Sequence, residues 1–126
     1  MLSLHYIMKA PEYIYNAIVE NVVDGDTVDC LVDLGFNATN RIRFRIKDDE
    51  VYFDTPETWR PKTEAEEAHG EAAKARTIEL LEGNRVVLKS AKKGKYRYVA
   101  EIFLEDGRSY TDLMISEGFQ KREKYD

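Results

Sequence analysis

Apolar and polar residues alternate along parts of this chain and recur every three or four positions in others. Residues 13–23, "YIYNAIVENVV", are rich in β-branched and aromatic side chains and predict a strand. Asp24-Gly25-Asp26 signals a turn, and Thr27 to Leu34 resumes period-two alternation with Val28, Cys30, Val32 and Leu34 on one side. "GFNATN" predicts a second turn. "RIRFRI", residues 41–46, predicts a third strand, with Ile42, Phe44 and Ile46 facing away from Arg41, Arg43 and Arg45.

Pro61 and Thr63 then open a helix. Ala65, Ala68, Ala72, Ala75, Ile78 and Leu81 fall at helical spacing, and Gly83 supplies the stop. "RVVLKS" predicts a fourth strand, "AKKGK" a loop, and "YRYVAEIFL" a fifth strand. "SYTDLMISEG" predicts a short helix, capped by Ser109 and ended by Gly118. Three strands, a helix, two strands and a helix fit a mainly β fold with helices (α+β). The expected form is a five-stranded OB-type barrel with two packed α-helices. A chain of 126 residues is expected to form one domain, spanning residues 1–126.

Composition narrows the function classes. The chain is 43% hydrophobic and 34% charged, as a globular domain with a charged exterior requires. No stretch reaches the roughly 18 apolar residues of a membrane span, and the first eleven residues lack the basic start of a secretory signal. The compartment stays open. The lone Cys30 excludes an internal disulfide, and its alternating neighbours predict a buried apolar role. A net charge of −5 excludes a general attraction to polyanions, so any nucleic-acid contact must be local. "RVVLKSAKKGKYR", residues 85–97, is such a locality: it holds six basic residues and no acid.

Candidate chemistry lies in two acidic turns. "DGDTVD" resembles the start of an EF-hand loop, but Val28 and Asp29 stand where a ligand and a glycine are required. Asp26 could instead meet Asp54, in "FDTPET", from a distant turn, with the Thr55 carbonyl and water completing a hard-cation site. The competing reading is a pair of solvated turns. Arginines on one face of the third strand, and Arg97 on another strand, suit bidentate grip of phosphate. Glu57 is close enough in sequence to Asp54 to orient a water. His5 and His69 suggest no site, and His69 is expected to be exposed on its helix.

"VVDGDTV", "DTPET", "EAHGEAAKA", "KGKYRYVAEIFLEDG" and "LMISEGFQK" follow, in order, the pattern of the staphylococcal-nuclease-like family. The resemblance runs over about residues 14–121. It implies an OB barrel and Ca²⁺-dependent cleavage of DNA and RNA at the 5′ P–O bond, leaving 3′-phosphates, with low sequence specificity. Asp26, Asp54 and the Thr55 carbonyl resemble the metal ligands, and Asp24 an acid near them. Glu57 resembles the glutamate that handles the attacking water. Arg45 and Arg97 resemble the phosphate-binding arginines, and Lys95 and Tyr96 the lining of the nucleotide pocket. The implied partners are DNA and RNA, single-stranded or locally unpaired, with no membrane and a monomeric state.

Two departures bear on activity. The family pattern places its arginine five residues before the metal aspartate, whereas Arg45 precedes Asp54 by nine, with "KDDEVYF" at 47–53 as an insertion. An alternative register pairs Arg43 with Asp48. "GKYRY" also lacks the glycine usual between tyrosine and arginine. A catalytically impaired nucleic-acid-binding module is therefore the second reading, and a calcium-stabilised structural domain the third.

Overall fold

The computed structural model describes residues 12–47, 53–56, 62–90, 98–122 and 125. Five strands close into a barrel: β1 (Ile14–Asp24), β2 (Thr27–Gly35), β3 (Ala38–Ile46), β4 (Arg85–Ser90) and β5 (Tyr98–Phe103). Around the barrel they run β1-β2-β3-β5-β4 and return to β1. The β3–β5 pairing is parallel and the other four are antiparallel. Helix α1 (Glu64–Leu81) joins β3 to β4, and α2 (Tyr110–Ser116) follows β5. This is the OB-type α+β architecture that the pattern of elements predicts.

Alternation fills the barrel. Val19, Val28, Cys30, Phe44, Ile46, Leu88 and Ile102 are buried inside, each large aliphatic side chain contributing about 1.5–3 kcal/mol relative to exposure. Burial raises the Cys30 thiol to a pKa of about 12, as its apolar setting demands. On β1 the buried positions run Ala17, Val19, Val22, a break in period two that follows from register shifts at Val19/Asn21 and Val22/Asp24. Such bulges add a residue to one strand and sharpen its twist. The second lies immediately before the Asp24-Gly25-Asp26 turn.

Two expectations are corrected. "GFNATN" is not a long turn: Ala38, Thr39 and Asn40 already pair with β2. Only Phe36 and Asn37 form the loop, both at positive φ (54° and 59°), as a two-residue hairpin twisted with its strands requires. Leu34 is exposed and does not extend the core row of Val28, Cys30 and Val32, because β2 outruns the barrel wall there. On α1, Ala68, Ala72, Ala75 and Ile78 lie on the exposed side, while Glu66, Gly70, Ala73, Thr77 and Leu81 are buried. Small residues recurring at helical spacing marked the helix, but its packed face is one that carries polar groups. Pro61 lies outside the described residues.

Candidate metal and phosphate site

The site grows from the register of three strands. Thr27 pairs with Arg45 across β2–β3, and the Asp26 carbonyl accepts the Ile46 N–H at 2.7 Å. The β1–β2 turn is thereby laid against the end of β3, with Asp26 beside Arg45. From the other side comes the stretch 53–56. Phe53 is fully buried and meets the Tyr110 ring edge-on, with centroids 6.0 Å apart. Asp54 follows this anchor, and Thr55 and Pro56 are buried after it.

Arg45 Nη2 lies 3.1 Å from Asp54 Oδ1 and 3.7 Å from Asp26 Oδ2. The Thr55 N–H donates to Asp26 Oδ2 at 3.2 Å, and the Thr27 hydroxyl donates to Asp26 Oδ1 at 3.0 Å. Residues 26 and 54, distant in sequence, thus present carboxylates at one point. The nine-residue separation of Arg45 and Asp54 does not keep them apart. An extended path would carry them roughly 30 Å from each other, whereas their side chains are in contact. Residues 48–52, including Asp48, lie outside the described residues.

Burial raises the Asp54 carboxyl above the ordinary range. A hydrogen bond with the Asp26 carboxyl raises it further, while the Arg45 and Lys121 charges oppose the shift. Two carboxylates in contact repel when both are ionised, and a hard divalent cation held by oxygen ligands relieves that repulsion. The pair of carboxylates therefore suits a hard divalent cation. Among the described residues no group of three or more His, Cys, Asp or Glu side chains converges, so further ligands would be carbonyl oxygens and water. Thr55 also carries a buried hydroxyl with no hydrogen-bond partner among the described residues.

The three arginines of β3, equivalent by pattern, are not equivalent in place. Arg41 pairs with Glu20 and Arg43 grips Asp29 through two bonds of 2.7 and 3.1 Å, both arginines being largely exposed. The Arg43 bond in turn holds the Asp29 carboxyl below its ordinary range. Only Arg45 reaches Asp26 and Asp54, and its side chain is 19% exposed. Asp24 accepts the Gly25 N–H at 3.0 Å. Glu57, Lys95, Tyr96 and Arg97 lie outside the described residues.

A supporting layer behind the site has weaker sequence signals. Tyr110 donates its phenol to the Gly25 carbonyl at 2.6 Å and shares a 2.7 Å hydrogen bond with Thr77. Gly25 permits the close approach of the two turns, because a Cβ there would stand 2.6 Å from Thr55 Cγ2. Glu66 is buried at the start of α1, three residues after the N-cap Thr63 whose hydroxyl accepts the Glu66 N–H; the Thr-x-x-Glu spacing is a capping-box signal. His69 is not the free surface residue expected. Its Nδ1 is 2.8 Å from the Tyr125 hydroxyl, its Nε2 is 2.8 Å from the Gly118 carbonyl, and its ring stacks on Phe119.

No curated protein matches the chain. A family model described as staphylococcal nuclease homologue matches residues 51–126. That segment includes Asp54, α1, β4, β5 and α2, more than half of the chain. With the closed barrel and the two acidic turns in place, the chain belongs to the family of staphylococcal nuclease homologues.

Proposed function

We propose that this protein is a calcium-dependent nuclease that hydrolyses DNA and RNA at the 5′ P–O bond, leaves 3′-phosphates and has low sequence specificity. The observation that carries the reading is the convergence of Asp26 and Asp54 on the single guanidinium of Arg45. Asp26, Asp54 and the Thr55 carbonyl would hold the ion. Once bound there, Ca²⁺ would supply positive charge to the phosphoryl group and lower the pKa of a bound water. Arg45, placed at the edge of the acidic pair, is suited to release Asp54 and take a phosphate oxygen once the carboxylates are otherwise neutralised. Glu57 is assigned to orienting the attacking water and Arg97 to the charge developing on the phosphorane, with Lys95 and Tyr96 lining the nucleotide. Phosphate contacts carry no base information, which accounts for the low specificity. A single domain acting as a monomer on unpaired strands completes the proposal. Among the described residues no helix is long and apolar enough to cross a membrane.

The second reading, a binding module without catalysis, rests on the insertion at 47–53 between Arg45 and Asp54. A single assay separates the two. Plasmid and single-stranded DNA are incubated with the protein in Ca²⁺ or in chelator, beside Asp54→Asn and Glu57→Gln. Calcium-dependent degradation, lost in both variants, is expected. A mobility shift without cleavage in any metal would leave the binding module.

A further inference from the structure

We infer that the segment following α2 is the positioning element for Asp54, and that Gln120 is the residue that aims it. The inference rests on the reading of Asp54 as a metal ligand. Residues 53–56 belong to no helix or strand, so no ladder of their own fixes the direction of the Asp54 side chain. Both backbone groups of Asp54 are instead taken by the tail. Its N–H donates to Gln120 Oε1 at 3.2 Å, and its carbonyl accepts the Lys121 N–H at 2.7 Å. The peptide is held from both sides, as one rung of a sheet would hold it, by a partner 66 residues away.

The tail is itself fastened to α1. Lys121 Nζ lies 3.5 Å from Glu66 Oε1, and Glu66 is 2% exposed. Burial strengthens the attraction of the Glu66 carboxylate for the Lys121 ammonium, so the pair resists sliding. One turn further along α1, His69 bonds the Gly118 carbonyl and stacks on Phe119. A rigid helix thus holds the tail and the tail holds Asp54. Groups that orient a metal ligand without touching the metal commonly account for about 10–100-fold in affinity.

The test uses the full chain with Gln120→Met, which keeps length but removes the acceptor, and Gln120→Glu, which retains an acceptor oxygen. Calcium affinity is read by calorimetry, and exchange of the Asp54 amide proton by NMR in chelator. Gln120→Met should bind Ca²⁺ about 10–100-fold more weakly and exchange the Asp54 amide faster. Gln120→Glu should retain the wild-type protection. Should Gln120→Met not fold, Gln120→Asn withdraws the acceptor by one methylene and should show the same two changes. Wild-type exchange at Asp54 in a folded Gln120→Met or Gln120→Asn protein would overturn the inference. If the wild-type chain takes no Ca²⁺, the metal-ligand reading fails by itself, and the amide exchange alone then decides whether Gln120 holds Asp54.

Discussion

The phenol of Tyr110 reaches the carbonyl of Gly25 across 2.6 Å, a bond between residues 85 apart. It ties the first residue of α2 to the hairpin turn that carries Asp26. Its ring is fully buried, and burial pushes its phenol pKa well above the ordinary value, so it is a donor at neutral pH. Tyr110→Phe removes this bond and the one to Thr77 while keeping the packing on Phe53. Urea unfolding should show a loss of about 1–3 kcal/mol, the cost of leaving a buried carbonyl unsatisfied.

Gly25→Ala probes the contact between the two acidic turns. The added methyl would overlap Thr55 Cγ2, and neither partner can yield without moving Asp26 or Asp54. Overpacking of this kind costs about 1–3 kcal/mol, visible as a lowered melting temperature. Calcium affinity should fall with it. Adding Thr55→Ser, which deletes the closest methyl, should recover part of both losses.

Arg45 and Arg43 should separate in function although two residues apart. On the nuclease reading, Arg45→Ala should lower kcat by about 10²–10³, the scale for removing one donor that stabilises developing charge. Arg43→Ala breaks only an exposed pair with Asp29, a type of contact typically contributing less than about 1 kcal/mol. Its kcat should change by less than a few-fold. Equal losses in the two variants would argue for the Arg43 register.

The Asp54 carboxyl gives the protein a pH signature. Its pKa is raised in the folded state by burial and by Asp26, so the folded chain binds the proton more tightly than the unfolded one. This group therefore favours folding below its unfolded pKa of about 3.9. That contribution is lost as pH rises through the raised folded value. In chelator at neutral pH, Asp54→Asn should melt higher than the wild type and should no longer gain stability from Ca²⁺. Calcium affinity of the wild type should weaken on acidification at a pH where an ordinary exposed carboxylate is still ionised, because the ion must displace that proton.

Cys30 should be silent. With the thiol enclosed in the barrel and its pKa near 12, a disulfide reagent should not label the native protein at neutral pH. It should react fully once urea unfolds the chain.

The elements that were legible in the sequence are those governed by local rules. Alternation at Val28, Cys30 and Val32 and at Phe44 and Ile46 placed core positions, and Thr63 and Gly83 bracketed α1, because side-chain direction follows backbone period. The insertion at 47–53 obscured the closing of Arg45 on Asp54, since a count of residues does not give the distance between its two ends in space. Gln120, Lys121 and Tyr110 carried no signal for their roles. Each makes a long-range bond to a backbone group, and any residue offers its backbone alike.

The sequence by itself determined the strand and helix periods, the acidic turns and the family pattern, all of which depend on neighbours in the chain. Only the tertiary structure decided which of three like arginines joins the acids, which face of α1 is buried and what holds Asp54. Those outcomes depend on strand register and on packing between distant elements: Thr27 lies opposite Arg45, and Lys121 meets Glu66 on α1.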